Sequence, residues 1–196
     1  LSGARIPAGQ DLVRLTLTVP PTAQPESISL SVEGRAEGER APIVRAAVPA
    51  DDVMQAFIYR HLVPARDLQV AVVGAPPRSS VQLAVPDGLT IPSGGTAKVL
   101  VAVSTSGRAR FDQVLFELST PPQGISIEDV VPAPGGSEII LRCDAETAEP
   151  GLEGNLIVNV FAARSAEDSG RGKEQRKKRR ILLTALPAIP FEIVPG

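Results

Sequence analysis

The chain has 196 residues, 43% of them hydrophobic but only 3% aromatic, with no Trp and one Tyr, so Val, Ile, Leu and Ala must build any core. That length suits one large domain or two ordinary ones. The formal net charge of −2 gives no whole-chain reason to bind nucleic acid or an anionic membrane, and no apolar run approaches the ~20 residues of a spanning helix.

Period-two alternation dominates from the start. Residues 12–19 set Val13, Leu15, Leu17 and Val19 against Arg14, Thr16 and Thr18, the pattern of a half-buried antiparallel strand. Residues 28–33 repeat it. Residues 53–61 read as a longer apolar strand, 68–73 as the next, and 81–85 as the last of this half, beyond the turn Gly74-Ala75-Pro76-Pro77. After Pro86-Asp87-Gly88, strands are predicted at 97–103, 111–118, 125–129, 138–143, 155–162 and 180–186. Pro121-Pro122, Pro134-Gly135-Gly136 and Pro150-Gly151 punctuate them. Residues 191–194 form a last strand that either closes this half or opens a third unit. Residues 166–178 carry Glu and Lys without an apolar stripe, so they read as a solvated loop, and the loop from Ser165 to Arg179 should be mobile and the first site cut by trypsin.

The two halves repeat each other. Ile6-Pro7-Ala8-Gly9 returns as Ile91-Pro92-Ser93-Gly94, and Val48-Pro49-Ala50 as Val131-Pro132-Ala133. A spacing near 85 residues is the size of a small domain and marks tandem copies. The expected division is therefore 1–87 and 88–196. It makes Leu15 equivalent to Val99, Leu30 to Phe116 and Val48 to Val131, each facing its own core. Residues 81–85 should then pair with 68–73, and 191–194 should begin a third unit.

The turn chemistry resembles a known group. Ile91-Pro92-Ser93-Gly94-Gly95-Thr96 precedes an alternating strand, Pro121-Pro122-Gln123-Gly124-Ile125-Ser126-Ile127 follows, and Glu149-Pro150-Gly151-Leu152-Glu153-Gly154 leads into Leu156, Val158 and Val160. This is similar to the bacterial immunoglobulin-like domains of the alpha-galactosidase-associated type, found beside secreted glycosidases. The resemblance covers roughly 88–186, and 6–86 more loosely, where Arg66-Asp67 stands in place of the Pro-Gly turn. It implies an all-β protein of two tandem immunoglobulin-like β-sandwich domains with an accessory role, extracellular, periplasmic or at the cell surface. It carries no catalytic residue. The opening Leu-Ser-Gly, without Met, is read as the start of an excised piece whose targeting signal lies upstream.

Few residues offer chemistry. His61 is the only histidine, and no nucleophile motif accompanies it despite Asp51, Asp52 and Asp67 nearby. Cys143 alternates with Ile139 and Leu141, so it reads as a buried thiol rather than a reactive one. As the only cysteine it permits no internal disulfide and is silent about compartment. Asp51-Asp52, Glu128-Asp129 and Asp144 to Glu146 are carboxylate pairs; calcium needs several oxygens converging, and no Asp-x-Asp-x-Asp-Gly loop is present. The basic run Arg171, Lys173, Arg176, Lys177, Lys178, Arg179 and Arg180 is a possible anion-binding loop. It lacks the interleaved aromatics that stack bases. Tyr59 and five Phe leave little aromatic surface for a sugar.

These features rank three roles. First is a non-catalytic structural or spacer module of a larger secreted or cell-surface bacterial protein, whose partners are the other domains of the same chain. Second is an accessory module binding polysaccharide or a protein next to a secreted hydrolase. An enzyme comes last, and neither a cofactor nor a metal is expected.

Overall fold

The computed structural model describes residues 1–20, 23–37, 41–55, 58–73, 81–84, 88–103, 113–164 and 179–196. Every extended element among them is a strand, so the protein is all-β as the alternation predicts. In chain order they are β1 (Ser27–Leu30), β2 (Glu33–Ala36), β3 (Ile43–Ala46), β4 (Ala50–Gln55), β5 (Tyr59–Pro64), β6 (Leu68–Ala71), β7 (Val81–Ala84) and β8 (Leu89–Pro92). There follow β9 (Thr96–Val103), β10 (Gln113–Leu118), β11 (Ile125–Ala133), β12 (Gly136–Cys143), β13 (Glu153–Leu156), β14 (Val158–Arg164), β15 (Arg179–Ala185) and β16 (Ile189–Val194). By its internal packing the chain divides into two units, one of Leu1–Thr18 with Pro77–Gly196 and one of Val19–Pro76.

The larger unit holds three sheets, with strand orders β11-β12-β9-β7, β10-β14-β15 and β13-β16-β8. All three feed one aliphatic cluster. Ile91 from β8, Val99 and Val101 from β9, Ile139 and Leu141 from β12, Val158 and Val160 from β14, and Ile189 and Ile193 from β16 all lie in it. Their β-branched and apolar side chains point inward at every second position, while the residues between face water. On β12 the alternation is plain: Ile139, Leu141 and Cys143 are fully buried. Glu138 and Arg142 between them reach Lys98 at 2.8 Å and Glu128 at 3.1 Å. Being half-exposed, these ion pairs contribute little; the burial of each large aliphatic side chain contributes about 1.5–3 kcal/mol.

Strand β11 runs four residues beyond the predicted 125–129. A bulge lies between Ile127 and Asp129. It shifts the inward positions from Ile125 and Ile127 to Val130, which also packs on the core. A simple alternation count stops at that parity change.

The smaller unit is built differently. Among the described residues it contains three separate two-stranded antiparallel ribbons, β1-β6, β2-β3 and β4-β5. No described residue of Val19–Pro76 is buried. On the β1-β6 ribbon, Ile28 is opposite Val70 and Leu30 opposite Leu68, giving one apolar face. The predicted strand at 53–61 is instead parts of two, with β4 and β5 paired from Ala50–Pro64 to Gln55–Tyr59.

The expected register between repeats does not hold. Strand β7 pairs antiparallel with β9, from Val81–Val103 to Ala84–Leu100, so it belongs to the sheet of the larger unit and not with residues 68–73. Residues 12–19 do not form a strand: only Thr16 bridges, to Ser2. Leu15 stays 41% exposed and Val48 72%, whereas Val99 is 2% exposed. Alternation makes a strand possible, but a strand also needs a neighbouring backbone to receive its hydrogen bonds. Residues 191–194 close the larger unit rather than open a third. Strand β16 lies between β13 and β8, antiparallel to the first and parallel to the second. The expected boundary residues Pro86 and Asp87 lie outside the described residues.

One turn of the larger unit depends on a carboxylate. After β12, Asp144 accepts hydrogen bonds from the Glu146 amide at 3.0 Å and the Thr147 hydroxyl at 3.0 Å. The Glu146 amide is the first cause, and the Thr147 hydroxyl the second, that hold its carboxyl below the ordinary value of 3.8. A lowered native pKa favours the folded state above the unfolded value, and the gain is lost as pH falls through the native value. Asp144→Asn should therefore be less stable than the native chain at neutral pH. The gap should close as acid denaturation is followed below pH 3.8; an equal gap at all pH values would refute the carboxylate's role.

Candidate functional site

A recess of the larger unit lies as a cleft of about 510 Å³ over the β13-β16-β8 sheet. The strands contribute Thr90, Glu153 and Glu192 to its lining, and the first residues contribute Gly3, Ala4, Arg5 and Pro7 as its rim. Sheet register explains the chemistry inside it. Glu192 is opposite Glu153 on one side and Thr90 on the other, so two carboxylates and a hydroxyl share the outward face. Like charges directly opposite on paired strands repel each other. The buried Phe191, one position on, faces the core.

The rim exists because the first residues are strapped down. Ser2 and Thr16 exchange backbone hydrogen bonds of 2.9 and 3.1 Å, drawing Leu1–Thr18 into a loop. Asn155 Nδ2 donates to both legs of that loop, to Gly3 O at 2.7 Å and Arg14 O at 2.8 Å. The Ala188 amide donates to Thr16 Oγ1 at 2.7 Å, and Gln10 Nε2 to Glu153 O at 2.6 Å. Arg14 donates to the Ser119 carbonyl and hydroxyl. Gly3 has φ +73°, and a Cβ there would lie 2.8 Å from the Ala188 methyl, so only glycine permits the approach. Asn155→Ala removes both bonds to the legs at once. It should cost about 1–2 kcal/mol and accelerate amide exchange at Ser2 and Thr16. Unchanged exchange there would show that the loop holds without Asn155.

The residues singled out from sequence are not drawn together. His61 sits exposed on β5, with Nε2 3.2 Å from Gln55 Oε1. Cys143 is fully buried in the other unit, as its position between apolar neighbours predicts. Asp52 pairs with Arg60 at 3.0 Å, Glu128 with Arg142, and Asp129 caps the Val130 amide at 2.8 Å. Among the described residues no group of three or more His, Cys, Asp or Glu is placed to hold a metal ion.

Of the basic run, Arg171, Lys173, Arg176, Lys177 and Lys178 lie outside the described residues. Arg179 begins β15, opposite Arg164 on β14, so the run belongs to the β14–β15 connection. Arg180 is engaged: its guanidinium bonds the Glu117 carboxylate and lies 5.0 Å over the Phe161 ring, a cation–π contact.

Glu153 stands in the turn motif from Glu149 to Gly154, but nothing in the sequence joins it to Arg5, Thr90 or Glu192, because segments far apart in the chain bring the four together. Chemically the cleft offers acceptors from two carboxylates, a hydroxyl and one guanidinium donor at an open surface. Among the described residues no helix is long and apolar enough to cross a membrane. Comparison with family models, curated proteins and solved structures returns no match.

Proposed function

We propose that the chain is a non-catalytic structural module, immunoglobulin-like in its β-sandwich layering, within a larger secreted or cell-surface bacterial protein. The observation that carries this reading is the larger unit itself. Three sheets close on an aliphatic core, and no polar side chain is buried among the described residues. Such an arrangement supports shape and spacing. Active sites are built around buried polar groups with perturbed ionisation. The turn chemistry from Pro92 to Gly154 adds the likeness to domains that accompany secreted glycosidases.

An antibody raised against this chain should label intact, unpermeabilised cells or the culture medium. Label confined to the cytosol would overturn the reading. Replacing the segment by a flexible linker of equal reach should leave the activities of flanking domains intact and alter only their spacing.

The second reading, an accessory binding module for polysaccharide or protein, draws on one observation. The smaller unit exposes Tyr59, Leu62 and Val73 at 71%, 75% and 82%, and exposed apolar surface marks contact sites. Retention on a polysaccharide column, lost on Tyr59→Ala, would favour it over the structural reading.

A further inference from the structure

We propose that this fold grades its resistance to stretching. A chain pulled at Leu1 and Gly196 yields Val19–Pro76 at low force and is then stopped by the β8–β16 pair. The proposal rests on the structural-module reading and adds a mechanical function to it.

The argument is one of strand direction. Inter-strand hydrogen bonds lie across the strands. When two paired strands are pulled from the same end, the bonds are loaded and broken one pair at a time. When they are pulled from opposite ends, all are loaded together. The register decides which case applies to each pair.

In the smaller unit every ribbon is pulled from one end. Tension enters at Val19 and leaves at Pro76, the limits of that unit. It reaches β1 at Ser27 and β6 at Ala71, which are partners in the register, so the ribbon opens from that end pair by pair. The next partners, Glu33 with Ala46 and Ala50 with Pro64, are likewise the ends nearest the pull. No described residue of this unit is buried, and an isolated two-stranded ribbon is marginally stable at best.

The larger unit ends differently. Strands β8 and β16 run parallel, with Leu89 opposite Phe191 and Pro92 opposite Val194. Tension arriving from upstream first peels the edge strand β7 from β9 and then enters β8 at Leu89, and tension from Gly196 enters β16 at Val194. Those are opposite ends of the pair, so its bonds share the load. The Ser93 amide adds a 2.8 Å bond to Val194 O where β16 leaves the sheet. Both strands are anchored in the core by Ile91, Ile189 and Ile193, each fully buried.

The strap sets the order. While Leu1–Thr18 is docked, tension passes from it into Asn155 and Ala188 of the larger unit, and Val19–Pro76 lies outside the path. The strap holds through a few separate bonds, with the Ser2–Thr16 pair nearest the pull. These break in succession, and the smaller unit then enters the path as stored length.

Single-molecule stretching of the full chain, with handles at Leu1 and Gly196, tests this. The expected trace shows an early low-force extension, up to about 20 nm at roughly 3.5 Å for each residue from Val19 to Pro76. A separate rupture at higher force follows. A second geometry places one handle on Ser93→Cys and keeps the other at Gly196. It pulls β8 and β16 from the same end and should lower the rupture force by about twofold or more. Release of the whole chain in one event, or equal rupture forces in the two geometries, would overturn the proposal. The order of events is read from the native chain, so it needs no folded variant. Either failure leaves the cell-surface reading to its own antibody test.

Discussion

Leu141→Ala should lower the stability of the larger unit by about 3–4 kcal/mol, read as a fall in the denaturant midpoint with unchanged slope. Leu141 is fully buried on β12, an interior strand flanked by β11 and β9. Its neighbours on the same face, Ile139 and Cys143, are also fully buried. The truncation therefore leaves a hole lined by side chains held in place by two flanking strands. The site can collapse little, which puts the cost in the upper part of the range for such changes. The same substitution at Leu62, 75% exposed on β5, should stay within about 0.5 kcal/mol. Equal effects at the two sites would mean that the smaller unit also buries its leucines, and would contradict the coreless ribbons described above.

Gly136→Ala should cost about 3 kcal/mol, from crowding of backbone rather than loss of burial. Gly136 opens β12 and lies opposite Ala102 on β9. A Cβ built there falls on the Val101 carbonyl oxygen, with the Val101 carbon at 2.8 Å and Ala102 Cα at 3.0 Å. Those are backbone atoms of a central strand, so they cannot swing aside as a side-chain tip would. The β9–β12 pairing must separate locally or slip. Gly135→Ala is the matched control for added bulk. Its Cβ meets nothing within 4 Å, although its φ of +75° adds strain of about 1 kcal/mol. Thermal unfolding of the two variants should rank Gly136→Ala well below Gly135→Ala, and the reverse order would refute the close approach.

Parts of this structure are legible from residue order alone. Val99, Val101, Ile139, Leu141, Val158 and Val160 fall at every second position of strands read from the sequence, and all sit in the core. Cys143 is legible for the same reason. The bulge at Glu128 hides the second half of β11, because inward positions change parity there. The repeat misleads at Leu15 and Val48. They match Val99 and Val131 in sequence, but among the described residues only Thr16 of 12–19 bridges to another segment, and Val48 is 72% exposed. The cleft is invisible in sequence, since Arg5, Thr90, Glu153 and Glu192 come from four separate segments with ordinary surface residues.

Residue order alone determines that the protein is all-β and aliphatic in its core, and which side chains of β9, β12 and β14 face inward. Those are local consequences of a period of two and of composition. Tertiary structure alone decided that β7 joins β9, that β16 closes the larger unit in parallel with β8, and that Leu1–Thr18 straps onto Asn155 and Ala188. Strand pairing is a choice among distant backbones that carry the same hydrogen-bonding groups. Alternation says which face a residue takes, and it is silent on which neighbour the strand will find.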